Sequence, residues 1–134
     1  MAKDIMDVLG NTKQKSIQSL VELLFKSQME AHITHILQRR KLLCEHEALA
    51  TYYDEIDDLI DSLAELLMSQ DLISNLSVAS CVEIPDTEKY FKDLYANVER
   101  YRAYLNTTPF LISKLDDIQK LISQTIYRLR FIQS

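Results

Sequence analysis

Residues 45–69 read EHEALATYYDEIDDLIDSLAELLMS, and two patterns are superimposed in them. Leu49, Tyr53, Ile56, Ile60, Leu63 and Leu67 recur at three- and four-residue steps, the spacing of one helix face rather than the alternation of a strand. At about 100° per residue, His46, Ala50, Asp57 and Asp61 lie within about 60° of one another, with Glu65 and Asp54 slightly further round. This polar strip borders the apolar stripe instead of opposing it. An acidic helix face is most often simply solvated. A polar strip beside the core is also where a second subunit could pack.

Outward from this stretch the same period continues. Before it, a helix is expected from about Lys15 to about Arg40, with Ile17, Leu20, Val21, Leu24, Ala31 and His35 on one stripe. A second apolar flank, Phe25, Met29, Ile33 and Ile36, gives this helix two faces to cover, more than one subunit's core requires. Residues 1–13 read as a short arm, with a break at Gly10-Asn11, and residues 14–134 as the folded domain. After it, residues 70–85 mix Ser and Asn with Leu72, Ile73, Val82 and Ile84, as a surface-hugging crossover with room for a short helix would. A third helix is expected from Asp86 or Thr87, either able to cap its first turn, with Phe91, Leu94, Tyr95, Val98, Tyr101 and Leu105 on its stripe. Thr108-Pro109 announces a fourth, because proline at the first helical position lacks only an N–H that has no partner there. It carries Leu111, Leu115, Ile118, Ile122, Ile126 and Leu129. The expected fold is all-α: a four-helix bundle whose long connection joins helices two and three, the pattern of ferritin-like bundles.

Composition agrees. In 134 residues there are one glycine and two prolines, too few turn-formers for a sheet protein. Apolar residues make up 47%, enough for a core. A net charge of −5 argues against nucleic acid or an anionic membrane as the default partner. The basic cluster Arg39-Arg40-Lys41 fits a helix C-terminus, where cations meet the dipole. No apolar run reaches the length of a membrane span. Cys44 and Cys81 have no framework spacing and no signal peptide precedes them, so reduced thiols in the cytoplasm are expected.

All three histidines, His32, His35 and His46, flank the expected turn between helices one and two, and the acids follow in helix two. Imidazole and carboxylate together form a ligand set that iron accepts. A ferritin site inside one subunit needs Glu-x-x-His on two helices. Here the residue three after Glu30 is Ile33, and helices three and four contain no histidine. A histidine-containing site must therefore draw on helices one and two, which points to a partner copy across a twofold axis.

In order, the chain shows His32-Ile33-Thr34-His35-Ile36, then Glu45-His46-Glu47, then Asp61-Ser62-Leu63-Ala64-Glu65. These resemble the His-x-x-His, His-Glu and Asp-x-x-Ala-Glu motifs of the Dps-type mini-ferritins, over residues 30–66. Ala50 stands where that family has a carboxylate, which Asp54 or Glu47 could replace, and Ile36 stands where it often has Trp. The resemblance implies a ferroxidase. His35 and His46 of one subunit, with Asp61 and Glu65 of its twofold partner, would bind one or two Fe²⁺, and peroxide or oxygen would be the oxidant. His32, Asp54 and Asp57 are the further metal-ligand candidates, with His32 about 60° round from the His35 stripe. The resemblance also implies a homo-oligomeric, dodecamer-like shell storing ferric iron. The alternative is a catalytically inactive ferritin-like bundle acting as a structural or protein-interaction module, which Ala50 favours.

Overall fold

The computed structural model describes residues 5–38, 43–106 and 108–131, with side chains from Lys13 onward. Five helices form: α1 (Ile5–Leu37), α2 (Leu43–Ser69), α3 (Thr87–Arg100), a short α4 (Arg102–Leu105) and α5 (Pro109–Phe131). No strand forms among the described residues. The turn of residues 39–42, with the basic cluster Arg39–Lys41, lies outside them.

Helix α1 starts well before Lys15 and runs through Gly10 and Asn11 without a break. A lone glycine costs about 1 kcal/mol in a helix interior and does not by itself end one. At the α2 C-terminus, the Leu72 N–H bonds Leu67 O at 2.9 Å and the Asp71 N–H bonds Met68 O at 3.0 Å. Asp71 takes the left-handed conformation, φ 56°, that this double closure requires and that glycine usually supplies. Asp86 caps α3, its side chain accepting from the Lys89 N–H at 3.2 Å. The helix expected from there to Leu105 instead breaks at Tyr101, whose N–H bonds Val98 O three residues back. Thr108 precedes α5 as expected, its carbonyl accepting from Leu111 and Ile112.

Side-chain bonds fix the helix directions. Ser27 meets Tyr52, Gln28 meets Asp57, and His35 meets His46, so α1 and α2 are antiparallel. Thr87 donates to Glu45, which puts the start of α3 beside the start of α2. Glu99 meets Gln119 and Arg102 meets Asp116, so α5 returns against α3 and α4. Two helices, α1 and α5, thus run one way, and α2 and α3 the other. Helix α2 packs on both α1 and α5, and α3 on α5.

The connection between α2 and α3 is extended and contains no helix, unlike the short one allowed for from the sequence. It runs alongside α1 from Gln14 to Thr34. The Ser77 N–H donates to Glu22, the Val82 N–H to Glu30 and the Ile84 N–H to the Thr34 hydroxyl. These α1 side chains satisfy backbone donors that no neighbouring strand is present to receive.

The core combines Ile17, Leu20 and Leu24 of α1, Leu49, Ile56, Ile60, Leu63 and Leu67 of α2, Phe91 and Val98 of α3, and Leu115, Ile118 and Ile122 of α5. Each such fully buried side chain contributes on the order of 2 kcal/mol. Tyr52, not Tyr53, completes the α2 stripe. Both fit the helical period. Tyr52 is the one whose hydroxyl finds a buried partner, Ser27 Oγ at 2.6 Å, with its ring edge-on to Phe91. Burial raises the Tyr52 phenol well above its ordinary value, with the Ser27 bond opposing, so it stays protonated.

Candidate functional site

The end of α1 and the start of α2 bring the three histidines to one corner of the bundle. The His35 and His46 rings stack with centroids 3.6 Å apart and planes inclined by 20°. His35 Nδ1 lies 2.8 Å from the His46 carbonyl oxygen. A carbonyl only accepts, so Nδ1 is the donor, and in the neutral ring Nε2 then holds the lone pair. This tautomer is the one a hydrogen-bonded metal-ligand histidine commonly adopts. His32 is exposed, and its ring stacks on Tyr53 at 4.2 Å. The edge of Tyr53 meets His35 at 5.3 Å. Tyr53 therefore ties His32 to the His35–His46 pair, where the sequence had suggested a core residue. Its half-buried position at the border of the apolar stripe is the signal that the period alone could not resolve.

The expected acids lie along the same side of α2 but not at this corner. Gln28 spans from α1 to the Tyr53 carbonyl at 3.2 Å and to Asp57 Oδ1 at 2.9 Å. Asp57, Asp58 and Asp61 are exposed and hold carboxylate oxygens within 4.8 Å of one another. Such acidic groups are common on solvated helices without any ion. Asp61 thus groups with Asp57 and Asp58, whereas the sequence reading paired it with Glu65. Asp54 and Glu65 are also exposed. His46 and Asp61 stand fifteen residues apart on one helix, which is about 22 Å along its axis. One chain therefore brings His35 and His46 together but cannot bring them to Asp61 and Glu65.

The bundle interior offers no alternative metal site among the described residues. Its buried acid, Glu30, is committed to the Tyr90 hydroxyl at 2.9 Å and the Val82 N–H at 3.1 Å. Burial, followed by the charge of Glu30, raises the Tyr90 phenol far above its ordinary value, so it remains the donor. Ser27 and Thr34 likewise are buried and bonded within α1, to Leu24 O and Glu30 O. The apolar stripe did not reveal these three residues. Their positions between Leu24 and His35 were the only available signal.

Beside the histidines α1 is left uncovered: Met29 is 51% and Ile36 64% exposed, whereas Phe25 on the same flank packs against the core. No described helix is long and apolar enough to cross a membrane. The chain matches no curated protein and no solved structure. Residues 37–129, which hold His46, Asp61 and Glu65 but neither His32 nor His35, match a family described as of unknown function, and the chain belongs to that family, DUF5856.

Proposed function

We propose that this protein is a ferritin-like, Dps-type iron protein that oxidises Fe²⁺ at a site shared between two copies and stores the ferric product in an oligomeric shell. The observation that carries the reading is the His35–His46 pair, joined at the α1–α2 corner with His35 Nε2 free. Two further features support it. One long connection along the bundle, between α2 and α3, supports a ferritin-like reading. The exposed Met29 and Ile36 leave α1 an apolar flank of the kind a second copy would cover.

The geometry of the shared site follows from α2. Tyr53 and Asp54 lie midway between His46 and Asp61. A twofold axis crossing α2 there sets His46 of one copy level with Asp61 of the other, twice over. His35 and His46 would then hold Fe²⁺ as substrate through ring nitrogens. Asp61 and Glu65 of the second copy would supply the negative charge that favours the ferric state. Oxygen or peroxide takes the electrons. Gln28 engages Asp57 from α1, whereas Asp61 makes no hydrogen bond among the described residues.

A specific observation favours the second reading, an inactive bundle serving as a structural or interaction module. The two imidazole planes are nearly parallel, so their lone pairs do not converge on one point. Shared ligation requires one ring to turn out of the stack, and Ala50 supplies no carboxylate at the next turn. An aerobic Fe²⁺ titration of metal-free protein, followed by ferric absorbance with oxygen and peroxide compared, separates the two. Saturable oxidation faster than buffer at one or two irons per site is expected. Oxidation at the buffer rate would hand the case to the structural module.

A further inference from the structure

A cavity of about 420 Å³ lies away from the histidines, between α1, the extended connection and the end of α3. Its volume falls within the range of small-ligand sites. Lys26 projects from α1 and Arg100 from the last turn of α3, and both line it. Neither forms an ion pair among the described residues, in a protein whose net charge is −5. Two unpaired cations facing one cavity on an acidic protein call for an anionic occupant. Ser77 and Asn97 add hydroxyl and amide donors on the same walls, while the Ser19 hydroxyl already donates to the Lys15 carbonyl at 2.9 Å. Glu22 is the one lining acid, its Oε2 accepting from the Ser77 N–H at 2.5 Å and the Gln18 amide at 3.1 Å; two cations against one carboxylate leave the lining net positive. Leu23, Ala79 and Tyr101 form the apolar part of the wall.

We propose that this cavity binds a small phosphomonoester. Its phosphate lies between Lys26 and Arg100, and its apolar body rests on Leu23 and the ring of Tyr101. Phosphate suits the two cations because each makes a charge-assisted hydrogen bond to a different oxygen. The Tyr101 hydroxyl is available as a further donor: burial raises its phenol above the ordinary value, so it is protonated at neutral pH. The site is independent of iron chemistry, since neither cation lies on the histidine corner or the acidic strip.

Calorimetric titration of the full chain with phenyl phosphate, inorganic phosphate and phenol tests it. Phenyl phosphate should bind saturably and more tightly than inorganic phosphate, with no heat from phenol. Lys26→Met and Arg100→Met, which keep the apolar stems, should each weaken phenyl phosphate about tenfold while leaving the thermal midpoint unchanged. No saturable heat with phenyl phosphate at millimolar concentration would overturn the proposal. So would affinity unchanged in the double variant, or inorganic phosphate binding as tightly as phenyl phosphate.

Discussion

Along one side of α1, Ser27, Glu30 and Thr34 are buried and each is hydrogen-bonded. Around the helix, His32, Met29 and Ile36 are exposed, and beyond them on α2 so are Asp54, Asp57, Asp58, Asp61 and Glu65. Both regions hold groups able to ligate a metal, but their environments differ. In the first, every acceptor already has its donor: Glu30 and Thr34 clamp the long connection in place, and Ser27 ties α1 to Tyr52 of α2. In the second, ligating groups stand beside uncovered apolar side chains, a combination that serves no evident purpose within one chain. Chemistry-bearing residues alone do not identify a site; unsatisfied ones beside an uncovered surface are better candidates.

The contrast makes ranked predictions. Glu30→Ala strips the acceptor from the Tyr90 hydroxyl and the Val82 N–H, and should cost about 3 kcal/mol in denaturant unfolding. A loss near zero would mean that the connection is not held by this clamp. Glu30→Gln, which keeps one carbonyl, should cost less. Asp71→Gly relieves a left-handed residue at the end of α2 and should stabilise by up to about 1 kcal/mol, offset in part by a freer unfolded chain. Destabilisation would show that the Asp71 side chain has a role of its own.

A smaller effect is expected at Glu99, where the Gln119 amide and then Arg102 hold the carboxyl below its ordinary value of 4.5. A lowered folded value favours folding above 4.5, and the contribution is lost as pH falls through the folded value. Glu99→Gln should therefore be less stable than the parent at neutral pH, with the two converging in acid. Parallel pH curves would contradict this. At the low end, Asp61→Ala and Glu65→Ala should leave stability within about 0.5 kcal/mol, because both side chains are exposed. A large loss in either would move these acids into the structural group.

Much of the fold was legible in the sequence because it follows from period and punctuation. The stripes of α2 and α5, Asp86 before α3 and Thr108-Pro109 before α5 each rest on local chemistry. The starting point of α1 was not legible, because Gly10 looks like a break and is only a cost. The break at Tyr101 was hidden for the opposite reason: the apolar spacing from Phe91 to Leu105 continues through it. At the candidate site, the meeting of His35 and His46 was legible from their places on either side of a turn. The stacking of their rings was not, nor was the part played by Tyr53, because neighbouring Tyr52 and Tyr53 fit the same helical period. The choice between them depends on Ser27, which is distant in sequence.

The sharing of one site between two copies is best tested by complementation. His46→Ala and Asp61→Ala should each be inactive alone in aerobic Fe²⁺ oxidation. Refolded together in equal amounts, they should recover about a quarter of the parent rate, since half the dimers are mixed and each mixed dimer rebuilds one of its two sites. A mixture as inactive as either variant, beside an active parent, would contradict a site built from His46 of one copy and Asp61 of the other.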